Sequence, residues 1–298
     1  MTKERKTRVL VLGASGMLGS SLFRDFSVDC RLETFGTIRA ADGVRHFAPE
    51  LRDALIPNVN LEGETGLLSA VSIAQPDVVV NCVGIIKQMP NANDHLESLA
   101  INASLPHRLA KYCSVIGARL VHFSTDCVFS GKVGRYKEND FPDADDLYGR
   151  TKLLGEVDYA NTVTLRTSII GHELTSAKSL VDWFLNQSGE IKGFRKAIFS
   201  GLPTIEIARV VREYVIPNPM LSGLYHLSVE PISKYELLRL VAEFYHSEVT
   251  IMPDDRLTID RSLNSDRFRL ATGFAPKPWP ELIRAMHDEF RAKAAAPV

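Results

Sequence analysis

Tyr148 and Lys152 stand four residues apart in Leu147-Tyr148-Gly149-Arg150-Thr151-Lys152. On a helix that spacing makes their side chains neighbours on one face. A phenol with a pKa of about 10 is a weak acid at neutral pH. A nearby ammonium favours phenolate and draws that value towards the working range. The pair reads as a proton donor with its tuner, and the lysine could also hydrogen-bond a ribose. The same spacing arises by chance on many helices as a plain surface pair, so its company matters. Ser124 and Thr125 place two hydroxyls at the end of the apolar run Leu120-Val121-His122-Phe123. Far upstream, Val9-Leu10-Val11-Leu12 runs into Gly13-Ala14-Ser15-Gly16-Met17-Leu18-Gly19. An apolar run, glycines spaced G-x-x-G-x-x-G and an amphipathic segment read as strand, tight turn and helix. Such a turn gathers backbone N–H groups and a helix N-terminus at one point, which suits a pyrophosphate.

The elements that must position these groups alternate. Residues 17–26 read as a helix and 31–38 as a strand that ends at Arg39. In a dinucleotide fold that position faces the adenine ribose, where an acid binds the 2′-hydroxyl and an arginine accommodates a 2′-phosphate. Arg39 therefore favours NADPH. Asp42 could still serve NADH, and a solvated strand-end arginine is the plainer account. Residues 51–59 read as irregular, with Asn58 and Asn60 near an adenine. Residues 63–75 read as a helix. Val78-Val79-Val80-Asn81-Cys82-Val83-Gly84 reads as a parallel strand covered on both faces. Its polar end, Asn81 to Gly84, belongs at the carboxyl edge, where open α/β sheets bind ligands. Asp94 and Glu97 form a capping box for a helix that runs to residue 116 and is kinked by Pro106.

Residues 120–124 and 162–168 read as further strands, with a polar loop at 139–146 before the Tyr148 helix. Beyond residue 170 the alternation weakens. Helices are expected at 180–186 and 205–215, a strand at 223–227, and a helix to Tyr245 capped by Ser233 and Glu236. A final helix follows the prolines around Trp279. The pattern predicts an α/β fold: a Rossmann-type doubly wound parallel sheet with a smaller C-terminal α/β substrate lobe. Residues 1–170 form the dinucleotide-binding domain, with elements returning from about 201–227. Residues 171–298 form mainly the substrate lobe, and the site lies in the cleft between them.

The chain has 298 residues, 45% hydrophobic and 24% charged, enough for a sizeable core. Lys+Arg number 35 against 36 Asp+Glu, so no basic stripe suggests nucleic acid. Met1-Thr2-Lys3-Glu4-Arg5-Lys6 precedes an apolar run too short for a signal peptide, and no stretch is long and apolar enough to span a membrane. Four scattered cysteines without C-x-x-C read as reduced, cytoplasmic usage. His95, His107, His172 and His226 show no metal-ligand spacing, so no metal is expected. His122 reads as a core histidine, and Cys82 and Cys127 as small buried thiols. Trp183-Phe184 reads as core or interface. Asp254, Asp255, Arg256 and Arg261 read as a solvated loop after a short strand, or else as a diphosphate or base contact through Arg261. The C-terminus is a short Ala-rich tail.

Taken together, Gly13-x-x-Gly16-x-x-Gly19, Tyr148-x-x-x-Lys152 and the intervening strand-end hydroxyl resemble the extended short-chain dehydrogenase/reductase family. Phe123-Ser124-Thr125-Asp126-Cys127-Val128-Phe129-Ser130-Gly131, Tyr148 to Glu156, Leu165-Arg166-Thr167-Ser168, Gly201-Leu202-Pro203-Thr204 and Gly223-Leu224-Tyr225-His226-Leu227 are similar to its dTDP-4-dehydrorhamnose reductase branch. That branch usually has Tyr where this chain has Cys127, and Val83-Gly84-Ile85-Ile86-Lys87-Gln88 also departs from it. The resemblance implies that Gly13, Ser15, Gly16, Met17 and Leu18 hold the pyrophosphate. It places Asn81, Cys82, Val83 and Gly84 along the adenosine and ribose path, with Asn102, Ser124 and Ile169 also towards the cofactor.

By the same resemblance Tyr148 is the general acid, and Lys152 is its tuner and a nicotinamide-ribose ligand. Thr125, with help from Ser124, bonds the reacting carbonyl. The implied reaction is NADPH-dependent reduction of a nucleotide-linked 4-keto-6-deoxyhexose for a surface polysaccharide. Two alternatives stay open: an epimerase or dehydratase of the same family, and a non-catalytic cofactor-binding regulatory subunit. Short-chain reductases are often dimers, and the Trp183 helix or the final helix could supply an apolar face for a homodimer.

Overall fold

The computed structural model describes residues 5–295; the first residues of the N-terminal segment and the last of the Ala-rich tail lie outside the described residues. The chain opens with β1 (Thr7–Leu12), α1 (Met17–Ser27) and β2 (Leu32–Thr37). After a 3-10 turn at Ala41–His46 come α2 (Pro49–Arg52) and β3 (Leu55–Ile56), where the sequence reads as irregular. Next are α3 (Glu64–Ala74) and β4 (Val78–Asn81). The expected strand stops at Asn81 because the Asn81 side chain takes the Val83 N–H at 3.1 Å and turns the chain.

One long helix follows, made of α4 (His95–Ser98), a π-helical stretch Leu99–Ser104 and α5 (Leu105–Ile116). Asp94 caps it by accepting from the Glu97 N–H, as the capping box predicts. Pro106 has no N–H for the Asn102 carbonyl, and the helix meets that gap with a wide π turn rather than a break. Then come β5 (Arg119–Thr125), α6 (Leu147–Leu154), β6 (Thr162–Thr167), β7 (Ile169–Ile170) and α7 (Leu180–Leu185).

The remainder is β8 (Glu190–Phe199), β9 (Leu202–Pro203), α8 (Thr204–Val210) continued by π-helical Val211–Val215, and β10 (Gly223–His226). After these come β11 (Ile232–Ser233), α9 (Lys234–Tyr245), β12 (Thr250–Asp260), α10 (Asp266–Thr272) and α11 (Trp279–Ala295). Ser233 caps α9 through the Glu236 N–H.

Seven strands form one sheet in the order β10-β6-β5-β4-β1-β2-β3, every neighbouring pair parallel. Strand side chains alternate faces, so each apolar run feeds two cores. Val9, Val11, Val80, Val121 and Leu165 pack with Leu22 and Phe26 of α1 and Ile207 of α8. Leu10, Leu12, Val79 and Leu120 pack on the other face with Leu67 of α3 and Leu105 and Leu109 of α5. The strand order reverses between β1 and β4, and the crevice at the carboxyl ends there is where such sheets take ligands.

A second sheet, β11-β8-β12, lies in the C-terminal half. β8 and β12 pair in parallel with a bulge between Asp254 and Thr258. Asp254, Asp255 and Arg256 therefore belong to a strand, not to the solvated loop expected of them. Arg256 grips Asp254 within the strand and Arg195 of β8 pairs with Asp255 across it; these ion pairs hide the strand character behind a charged sequence. Phe184 is fully buried, whereas Trp183 of the same helix is 41% exposed.

Candidate active site

The carboxyl ends of β1, β4, β5 and β6 bring the glycine turn, the β4 loop and the Tyr148 helix to one edge. Gly13 takes φ +79°, a left-handed conformation, and a Cβ there would stand 2.8 Å from Val83 Cγ2. The turn thus packs against the loop after β4. No side chain caps α1 at Gly16, and Ser15 and Gly16 are exposed. The first N–H groups of α1 stay free for an outside acceptor, so the turn fits the pyrophosphate of a dinucleotide. Met17 is half-buried and Leu18 buried; such side chains can back the turn while the backbone faces outward. Arg39 lies exposed just beyond β2.

Asn81 is buried, its amide 3.2 Å from His122 Nδ1. His122 is a fully buried core residue, and burial, then the Lys152 and His107 charges, push it well below the usual imidazole range. Burial pushes the Cys82 thiol far up, which makes it inert. Asn102 accepts from the Ile85 N–H at 2.9 Å and donates to the Ile85 carbonyl at 2.9 Å. It also reaches Thr151 of α6 at 3.4 Å. Asn102 therefore acts by fixing the β4 loop to the Tyr148 helix. Gly84 sits against it, a built Cβ falling 3.3 Å from Asn102 Oδ1. Ile169, in β7, is half-buried opposite Leu202 of β9.

Asp146 begins α6, its carboxylate accepting from the Gly149 N–H at 2.9 Å. Tyr148 and Lys152 occupy one face of that short helix. Thr125, the last residue of β5, donates to Asp126 at 3.1 Å and accepts from the Cys127 N–H at 3.1 Å. Its hydroxyl lies near enough to the Tyr148 phenol to favour the phenolate. The structure thus brings Thr125 and Tyr148 together.

Lys152 behaves differently from the expectation that it tunes the phenol. It is buried, and its ammonium donates to the Phe123 carbonyl at 2.6 Å. Burial pulls it down to about 8, against the pull of Glu156 and Cys82. Burial pushes Tyr148 well above the usual phenol value; Cys127, Asp126 and Asp146 add to this, and Thr125 opposes it. With Lys152 engaged by the β5 backbone, the phenol sits as a firmly protonated acid.

Ser124 also departs from its expected part in helping Thr125. Successive strand residues point to opposite faces, and Ser124 donates to Glu156 at 2.6 Å. Glu156 holds Arg166 through two bonds of 2.7 and 2.6 Å, and Arg166 lies 3.3 Å from His226.

Two charged neighbours border the site: Lys87, which sequence reasoning missed, and Arg261, which it read as a solvated-loop residue or a diphosphate or base contact. Lys87, in the loop after β4, pairs with Asp146 at 2.7 Å and lies 5.6 Å from the centre of the Tyr148 ring. Arg261, just past β12, donates to the Phe129 carbonyl at 2.8 Å and stands 3.8 Å from Cys127 Sγ. Burial and Asp126 push the Cys127 thiol up to about 11, against Arg261 and Lys87. The only signals in the sequence were the unusual β4 loop and an Asp two residues before Tyr148. Among the described residues, no three His, Cys, Asp or Glu side chains gather as a ligand set, and no helix is long and apolar enough to cross a membrane.

A family model described as the RmlD substrate binding domain matches residues 7–291. The chain is 26% identical over 257 residues to methionine adenosyltransferase 2 subunit beta of Mus musculus, covering 80% of this chain and 72% of that protein. It is 26% identical over 300 residues to the spore coat polysaccharide biosynthesis protein SpsK of Bacillus subtilis, covering 95% and 98%. Its fold matches a dTDP-4-dehydrorhamnose reductase from Bacillus anthracis, solved in complex with NADP, with a TM-score of 0.74 at 20% identity over 96% of this chain and 100% of that one.

Proposed function

The chain belongs to the RmlD substrate binding domain family, and from that premise we propose that it reduces the keto group of a nucleotide-linked 4-keto-6-deoxyhexose with NADPH. The observation that carries the reading is the Thr125–Tyr148 pair at the sheet edge, beside an uncapped helix N-terminus. Gly13, Ser15, Gly16, Met17 and Leu18 hold the pyrophosphate, and Arg39 meets the 2′-phosphate. Residues Asn81 to Gly84 border the adenosine and ribose. When bound, NADPH supplies a hydride.

Negative charge then develops on the sugar carbonyl oxygen. The Thr125 hydroxyl hydrogen-bonds that oxygen, and Tyr148 passes its proton to it. Lys152, held against β5, contacts the nicotinamide ribose and brings positive charge to the same edge. A phenol kept protonated by burial suits the reductive direction, which needs an acid. The SpsK relative supports placing the product, a nucleotide-activated deoxysugar, in polysaccharide synthesis.

A second reading rests on the methionine adenosyltransferase 2 relative, which is a subunit beta: a cofactor-binding protein that acts through a partner. The deciding experiment follows NADPH and NADH oxidation with a panel of dTDP- and UDP-linked 4-keto-6-deoxyhexoses. Turnover preferring NADPH establishes the reductase. Tight cofactor binding with no turnover on any member of the panel favours the subunit reading.

A further inference from the structure

We propose that Lys87 is a positioning residue for Tyr148: through Asp146 it locks the β4 loop to the first turn of the proton-donor helix and holds a positive charge against the phenol ring. The inference rests on the reading of Tyr148 as the proton donor.

Three observations carry it. Lys87 Nζ lies 2.7 Å from Asp146 Oδ2, and the other oxygen of the same carboxylate accepts from the Gly149 N–H at 2.9 Å. One carboxylate therefore ties the helix start to a loop 59 residues upstream. Lys87 Nζ is also 5.6 Å from the Tyr148 ring centre, close enough for a cation to act on a ring and its phenolate. Lys152, the helix neighbour that spacing would nominate for this task, spends its ammonium on the Phe123 carbonyl.

A second tie runs in parallel. Asn102 grips Ile85, two residues before Lys87, and touches Thr151 of the helix. The loop that borders the proposed cofactor path is thus joined to the proton donor at two points, one neutral and one charged. Only the charged one can move the phenol's acidity.

The charges around the phenol fix the sign. Cys127 and Asp126 approach from the end of β5 and Asp146 from the start of α6; Lys87 comes from the β4 loop, 5.6 Å from the ring centre, and Arg261 faces Cys127, Asp126 and Asp146 from beyond β12. Lys152 lies one turn along the same helix. Removing the Lys87 charge leaves Asp146 uncompensated and makes Tyr148 a weaker acid. Removing the Asp146 charge, with Lys87 kept, makes it a stronger one.

The test needs no substrate. The NADP+-loaded protein is labelled with fluorinated tyrosine, whose more acidic phenol brings the titration into range, and followed by fluorine NMR; Tyr148→Phe assigns the signal. Lys87→Met is expected to raise the Tyr148 midpoint by roughly one unit. Asp146→Asn should lower it, and Lys87→Arg should leave it in place. Raising the salt should shrink the shifts, since Lys87 is 40% exposed. A Lys87→Met midpoint equal to wild type, with NADP+ binding intact, overturns the inference. Failure of the underlying reading is separate: it appears as full turnover by Tyr148→Phe.

Discussion

Ser124 and Thr125 are adjacent hydroxyl residues in one strand, yet they belong to two different kinds of polar region. On one face Ser124, Glu156, Arg166 and His226 close a network in which charges and hydroxyls find protein partners. On the other, Thr125 and Tyr148 sit among groups whose burial or charge sets them up for an outside partner. A buried bidentate ion pair gives rigidity and offers nothing to a ligand. Thr125 is held by Asp126 and the Cys127 N–H, but the half-buried Tyr148 phenol beside it has no charged partner bonded to it among the described residues, and that is where a reacting oxygen gains most. The two faces of one strand thus make a scaffold where the charges pair with each other and a site where a phenol is left for an outside partner.

The comparison can be broken from either side. The largest effect on the open side should come from Tyr148→Phe, which removes only the proton. Turnover is expected to fall by about 10²- to 10⁴-fold while the melting temperature stays close to wild type. On the closed side, Arg166→Met leaves the Glu156 carboxylate buried without its partner. This should cost about 3–5 kcal/mol of stability in urea unfolding, far more than Tyr148→Phe. If the two variants exchanged phenotypes, the division would be wrong.

A smaller effect follows from acid. Burial, then the Arg166 charge, hold His226 down at about 3, below the value of about 6.5 for an unfolded histidine. Between those values the unfolded chain binds a proton that the folded one refuses. Stability is therefore fully present above about pH 6.5 and declines as pH falls, by about 1.4 kcal/mol per unit for this histidine. Urea unfolding at pH 7 and pH 5 should show the loss, and His226→Asn should flatten it, with His122 supplying the remainder. An effect of similar size is expected of Ser124→Ala. It removes a bond to a charged carboxylate at a cost of about 1.5–3 kcal/mol and leaves kcat nearly unchanged, whereas Thr125→Val lowers kcat as well as losing the bonds to Asp126 and the Cys127 N–H.

How much of this could be read in advance depended on range along the chain. The β1 glycine turn, the apolar strands β1, β5 and β6, the N-caps of the long helix and of α9, and the Tyr148–Lys152 spacing are local patterns that appear in the structure where they were expected. What was hidden joins residues far apart. Glu156 claims Ser124 from 32 positions away, and Lys87 meets Asp146 across 59; no local pattern encodes either pair. β8, Glu190–Phe199, alternates charged and apolar residues around Gly193 and carries no clean apolar face, because it lies half-exposed in the second sheet. Helical spacing made Lys152 a neighbour of Tyr148 but did not give the direction of its ammonium, which donates to the Phe123 carbonyl.

The most direct test of the central claim is isotopic. The protein would be given NADPH carrying deuterium at the transferable position of the nicotinamide, together with dTDP-4-keto-6-deoxyhexose, and the sugar product read by NMR. Deuterium on the sugar carbon that bore the keto group, lost in Tyr148→Phe, is the predicted result. An unlabelled sugar recovered unchanged or epimerised, with the cofactor bound and its deuterium retained, would contradict the account.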